Sequence, residues 1–160
     1  MEKRKKRVMI DLDVITVALW DSRGKNAEIA KKFLVRVEKK EFYVGIPFLI
    51  IEIVLLWKHE KLKNSIKEFY VKNSDQLFTD TEIKEKCDEL EIDYERILNK
   101  LDASGIKRED AALVLVASLF EFDYLVTFNR IHLRNKKEET NKILKECKLA
   151  AIQILGPEEL

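Results

Sequence analysis

Val8-Met9-Ile10-Asp11-Leu12-Asp13-Val14-Ile15 is an apolar segment broken by two acids, and its reading decides the fold. Residues 8–10 read as a buried strand, with Asp11 directly after its carboxyl end. Segments 42–46, 77–79, 124–128 and 151–155 have the same short, β-prone character, and Gly156-Pro157 stops the last. Helical patterns lie between them. Residues 26–40 place Ile29, Phe33, Leu34 and Val37 on one face, and Pro47 suits the first turn of a helix running to about residue 60. Helices are also predicted over 62–72, as a pair over 81–101 closed by Gly105, over 108–120 and over 136–148. Strands alternating with helices predict a three-layer α/β/α domain with a central, mainly parallel sheet of four or five strands.

The 160 residues, without linker or repeat, read as one domain over 1–160, with a basic N-terminal extension at 1–7. Lys and Arg number 30 and Asp and Glu 29, a net charge of +1. The distribution is uneven: residues 1–7 carry five bases and one acid, and residues 130–148 seven bases and three acids. Either cluster suits phosphates, and either also suits a solvated face. Charged residues reach 37%, against roughly 25% in ordinary domains, and predict a helix-rich surface laced with salt bridges. The longest apolar run, residues 47–57, falls short of the ~18 residues of a membrane span and contains Glu52. Asp11 and Asp13 interrupt what would otherwise follow the basic start as a signal peptide. Cys87 and Cys147, alone and far apart, exclude a disulfide scaffold and a four-thiolate zinc site and fit a reducing cytoplasm.

Ligands of open α/β sheets bind beyond the carboxyl ends of the strands. Asp11 and Asp13 follow the first strand, and the helix after the second carries Glu52. Glu109 and Asp110 open the apolar helix before the fourth strand, and Thr127, Asn129 and Arg130 follow that strand. Glu52 lies among Phe48, Leu49, Ile50, Ile51, Ile53, Val54, Leu55, Leu56 and Trp57. Such a helix is predicted to be buried, and a buried carboxylate needs a partner or a cation. The plain alternatives are a Glu52 ion pair or exposure, turn or cap roles for Asp11, Asp13, Thr127 and Asn129, and helix-start roles for Glu109 and Asp110. His59 and His132 read as surface residues and Trp20 and Trp57 as packing. Converging carboxylates without paired His or Cys favour a hard cation, Mg²⁺ or Mn²⁺, and such ions act on phosphate esters.

The order of these segments resembles the PIN-domain family of metal-dependent ribonucleases along essentially the whole chain. Its opening strand-Asp motif matches residues 8–15, its Glu within an apolar helix matches Pro47-Phe48-Leu49-Ile50-Ile51-Glu52, and its Asp opening an Ala-rich helix matches Arg108-Glu109-Asp110-Ala111-Ala112. A strand ending in Thr matches Tyr124-Leu125-Val126-Thr127-Phe128-Asn129, and the closing strand, Pro and acids match Ile154-Leu155-Gly156-Pro157-Glu158-Glu159-Leu160. The resemblance implies Asp11, Glu52 and Asp110 as catalytic metal ligands, with Asn129 joining them at the metal and Asp13 and Thr127 in support. It implies endoribonuclease activity with Mg²⁺ or Mn²⁺, and an RNA backbone held by Arg130, Arg134, Lys136 and Lys137. It also implies partners: many relatives are VapC-type toxins, dimeric and paired with an antitoxin protein, whereas others process RNA and some only bind. Two departures stand out. Asp13 occupies a usual Asn position, and Asn129 stands where many members carry a fourth acid.

Two other readings compete. Asp11-Leu12-Asp13 with Thr127 also looks like the nucleophile and second motifs of haloacid-dehalogenase-type phosphatases, but residues 128–160 contain no Asp for their downstream metal motif. A catalytically silent RNA-binding or protein-interaction module on the same fold is the other, since fold does not fix function.

Overall fold

The computed structural model describes residues 3–20 and 23–160. Five strands form one sheet: β1 (Lys6–Ile10), β2 (Phe42–Pro47), β3 (Gln76–Phe78), β4 (Tyr124–Val126) and β5 (Gln153–Leu155). Their order is β3-β2-β1-β4-β5, and all four pairings are parallel. The helices are α1 (Leu12–Trp20), α2 (Lys25–Glu38), α3 (Phe48–Leu55), α4 (Glu60–Asn73), α5 (Asp80–Glu89), α6 (Tyr94–Ala103), α7 (Arg108–Leu119) and α8 (Lys137–Glu146). They fall into two packed groups. In one, α1 lies on α2 and α4, and α3 on α4; in the other, α7 lies on α5 and α6, and α6 on α8. The result is the three-layer α/β/α arrangement expected of parallel strands whose two faces must both be covered.

The core runs through the sheet. Val8, Met9 and Ile10 of β1 and Leu125 and Val126 of β4 are essentially inaccessible, and in α7 every residue from Ala111 to Leu119 is buried. Gly45 in β2 is required by a close approach. A Cβ there would lie 2.9 Å from Phe78 Cε2 and overlap the Phe122 ring.

Several boundaries differ from the sequence reading. β1 starts at Lys6, so Lys6 and Arg7 belong to the sheet and not to an extension. Residues 12–20, given no element by their pattern, form α1; Val14, Ile15, Thr16 and Val17 are β-branched and disguise a helix. Pro47 closes β2 in extended conformation instead of sitting inside the helix, and α3 stops at Leu55. The reading of that helix as buried all round is also corrected. Only Ile50 and Val54 of α3 are buried, Leu55 and the following Leu56 are 44% and 83% exposed, and Glu52 is exposed. An eight-residue helix at the sheet's rim covers the core with one face, whatever the other face is made of.

Candidate functional site

The chain lays down β1, β2 and β3 toward one edge, then returns to place β4 and β5 on the other side of β1. Connections from β1 and β4 therefore leave in opposite directions, and the carboxyl ends of these adjacent strands flank the crevice where α/β sheets bind ligands. Asp11 N–H donates to Val126 O (2.9 Å) and Thr127 N–H to Leu155 O (2.9 Å), so the ladder is still closed where the side chains leave it.

Residues 127–129, the turn after β4, give one donor to each of three aspartates. Thr127 Oγ1 donates to Asp11 Oδ2 at 2.8 Å, Phe128 N–H to Asp13 Oδ2 at 3.1 Å, and Asn129 Nδ2 to Asp110 Oδ2 at 3.1 Å. Thr127 Oγ1 also lies 3.4 Å from Asp13 Oδ2, but its single proton serves the shorter contact. The hydroxyl in turn accepts from Asn129 N–H at 2.9 Å. Asp11, directly after β1, is 8% exposed; Asp13 is in the first turn of α1 and Asp110 in the first turn of α7. Asp13 Oδ1 is buried with no hydrogen-bond partner.

Crowding raises the proton affinity of all three acids. Asp13 is pushed up to about 7, first by burial and then by the charge of Asp11. Asp110 is pushed up to about 6, first by burial and then by Asp11, while His132 opposes the shift. Asp11 is raised by burial against the opposing hydrogen bond from Thr127. Near neutral pH, then, the cluster without a cation retains a proton.

The structure thus gathers Asp11, Asp13, Asp110, Thr127 and Asn129. It does not link Glu52 to them: no hydrogen bond or ion pair among the described residues involves this exposed side chain. Asn129 enters differently from the expected metal ligand. Its amide presents nitrogen to Asp110, while its oxygen accepts from His132 N–H at 3.0 Å. The expected RNA-binding bases divide. Arg134 is ion-paired with Glu158 (2.8 Å) and Glu159 (3.4 Å), and Lys136 donates to Ser104 O (2.8 Å), whereas Arg130 and Lys137 are exposed.

Three neighbours escaped the sequence reading. Tyr70, fully buried in α4, donates its hydroxyl to Ile10 O at 3.4 Å and stays neutral, because burial and the charges of Asp11 and Asp13 raise its phenol. His132 lies close enough to Asp110 to favour its ionised form, with Nδ1 3.3 Å from Gly105 O. Glu109, read as a helix-start acid, adds negative potential at both Asp11 and Asp110. Tyr70 sits at an ordinary core position of an amphipathic helix, so nothing local marks it. His132 carried a weak signal, three residues beyond Asn129.

Among the described residues no three His, Cys, Asp or Glu side chains come close enough to enclose a metal ion by themselves. The donor chemistry still fits a hard cation. Every available atom is a carboxylate or hydroxyl oxygen, the acids repel one another, and one buried carboxylate oxygen has no donor. No helix of the described residues is long and apolar enough to cross a membrane. No protein-family model, no curated protein and no solved structure gives a significant match to this chain.

Proposed function

We propose that this protein is a PIN-type ribonuclease that hydrolyses RNA phosphodiester bonds with Mg²⁺ or Mn²⁺ in the cytoplasm. The observation that supports this reading is the turn at 127–129, which hands one donor to each of three mutually repelling aspartates in the crevice between β1 and β4. Asp11 and Asp110 would hold the cation, with Asp13 beside them. Glu52, exposed on α3 after the carboxyl end of β2, would join only through the substrate or a water. When bound, the cation supplies a more acidic water and charge to steady the leaving oxygen.

The chain's own residues do the rest. Thr127 and Phe128 N–H fix one oxygen each of Asp11 and Asp13, so these carboxylates cannot swing apart when unneutralised. Asp13, with Oδ1 buried and without a donor, is the carboxylate pushed up to about 7 by burial and the charge of Asp11. Tyr70 holds the end of β1 from below and keeps its own proton. Arg130 and Lys137 are the exposed bases that would meet the RNA backbone. An antitoxin protein and a second copy of the chain belong to the same proposal as partners.

The test is incubation of mixed-sequence RNA with the protein and each cation, beside Asp11→Asn and Glu52→Gln. Cleavage that needs Mn²⁺ or Mg²⁺ and is lost in Asp11→Asn is expected. Equal cleavage by wild type and both variants would mean a contaminant and end the proposal. Phosphate release from small monoesters would instead point to phosphatase chemistry. A second reading, RNA binding without cleavage, is favoured by the exposure of Glu52, which bonds to none of the aspartates, and by the neutral Asn129. Cation-independent RNA binding with no products would select it.

A further inference from the structure

The basic start of the chain has no part in the site described above. It leads into β1, and Arg4 lies 3.6 Å from Asp123, just ahead of β4. The register sets Lys6 beside Phe42, so Lys39 and Lys40 precede the neighbouring strand at the same end, and Lys40 Nζ reaches Lys72 O at 3.2 Å, ahead of β3. Lys3, Lys5, Lys6, Lys39, Lys40 and Lys72 therefore stand at the amino end of the sheet. All are exposed, and none has an ion pair among the described residues. The acids bonded at this rim are matched by other groups: Glu41 by Arg36 at 2.7 Å, Asp123 by Arg4, and Asp75 by the Val44 N–H at 2.7 Å. α2 and α4 end here, and their carbonyl ends favour a cation, but two ends of about half a charge each offset only one of these lysines. The half-buried Arg7 is covered by the Tyr43 and Phe122 rings. The exposed lysines have only water, and so are open to a polyanion.

Resting on the ribonuclease reading above, we infer that the amino end of the sheet is a second RNA-binding surface, where these lysines hold the phosphate backbone of a strand whose further part lies at the carboxyl end. That other end holds RNA poorly by charge alone. Its three aspartates repel phosphate, Arg134 is spent on Glu158 and Glu159, and Lys136 on Ser104 O. Lysines are compact point charges that attract phosphates without reading bases, as a sequence-independent landing surface requires. The exposed large apolar side chains nearest them in the chain are Val35 and Val71, not the Trp, Phe or Leu with which a basic surface lies in a membrane. From Lys6 to Asp11 is ~17 Å at ~3.3 Å per residue, or about five nucleotides of stacked strand, so one RNA can touch both ends.

The test is binding of a labelled mixed-sequence single-stranded RNA, several times that length, to the whole chain in EDTA, followed by fluorescence anisotropy over a range of salt. Lys5→Gln, Lys39→Gln and Lys72→Gln combined should make the slope of log affinity against log salt shallower by about 2, at ~0.7 for each lost phosphate contact, and should weaken binding at least about tenfold near 0.1 M salt. Lys3→Gln with Lys5→Gln, both ahead of β1 and outside every helix and strand, should make it shallower by about 1.4. Wild-type slope and affinity in both variants would overturn the inference while leaving the nuclease reading to stand on cleavage. Wild type that binds no RNA in EDTA would overturn it as well, and Mn²⁺-dependent cleavage would still decide the other reading. Polyglutamate or phosphatidylserine vesicles bound by wild type as tightly as RNA, and equally weakened in the variants, would give the surface to another polyanion and overturn it too.

Discussion

The two ends of β1 handle charge in opposite ways. At the amino end Arg7 is half-buried, and its guanidinium is covered by two rings, 5.1 Å from the Tyr43 centroid and 4.7 Å from that of Phe122. Asp123 accepts from the backbone N–H of Arg7 at 2.8 Å and lies 3.6 Å from the Arg4 guanidinium. At the carboxyl end, three residues beyond the buried Val8, Asp11 meets Asp13 and Asp110 with neutral donors and no cationic side chain bonded to any of them. One end is compensated by the fold and the other is not. A chain that folds with its acids crowded tolerates a standing electrostatic cost, and a divalent cation would remove it.

The largest expected effect tests that contrast at the uncompensated end. Asp11→Asn should lower Mn²⁺-dependent RNA cleavage by at least about a hundredfold, or about 2.7 kcal/mol of transition-state free energy. It should also abolish the rise in melting temperature on adding millimolar Mn²⁺ while leaving the metal-free protein folded. If Mn²⁺ stabilises the variant as it does wild type, the ion binds elsewhere and the contrast loses its meaning.

At the compensated end the effect should be on stability alone. Arg7→Ala removes two ring contacts and the packing of the side-chain stem and should cost about 2 kcal/mol in urea unfolding. Arg7→Met, which keeps the stem and discards the partnerless Nε donor, should cost less. Neither should change cleavage per folded molecule. A large loss of activity in folded Arg7→Met would show that the two ends are coupled.

Much of this was legible in the sequence, for reasons that differ by element. α7 and α3 read alike as apolar helices, yet α7 is enclosed and α3 is not. Composition reports the tolerance of a helix for burial, not whether neighbours cover it, and α3 with only eight residues leaves its far face bare. Asp11 was legible because an acid directly after a buried strand has few places to go. Asp110 and Thr127 were legible because one opens α7 and the other directly follows β4, the strand that topology brings beside β1. The apolar neighbours of Glu52 predict burial, but α3 leaves it exposed. The amide orientation of Asn129, the occupation of Arg134 by the C-terminal acids and the contact of Tyr70 with β1 depend on partners 19 to 60 positions away or on hydrogen-bond geometry, and no local pattern encodes those.

Arg134 sharpens the comparison, because it is a charge on the same edge of the sheet that the fold does satisfy. Its side chain is 14% exposed and meets Glu158 and Glu159, which follow the carboxyl end of β5. Glu158→Gln should cost about 1 kcal/mol, since Glu159 still answers the guanidinium. Chemical denaturation checks this, and a cost near zero would mean that the pair is as weak as an exposed one.

The smallest effect is the most direct measure of the uncompensated charge. Asp13 is raised to about 7 and Asp110 to about 6, from 3.8 in the unfolded chain. Between about pH 4 and 7 the folded state therefore binds more protons than the unfolded state at these groups. Their contribution makes stability fall as pH rises through that window and level off above it. Asp13→Asn keeps an acceptor for Phe128 N–H and removes one of the repelling charges. Without metal, the variant should match wild type near pH 4 and melt about 2–4 °C higher at pH 7.5, equivalent to roughly 1 kcal/mol in a chain of this size. Mn²⁺ should reverse the order. It should raise the wild-type midpoint more at pH 7.5 than at pH 5, where protons compete for the same oxygens, and raise the variant less than wild type at either pH. A wild-type pH profile that stays level from pH 4 to 7.5 in calorimetric scans, or Asp13→Asn that is less stable at pH 7.5, would mean that the carboxyl end of β1 is as well compensated as its amino end.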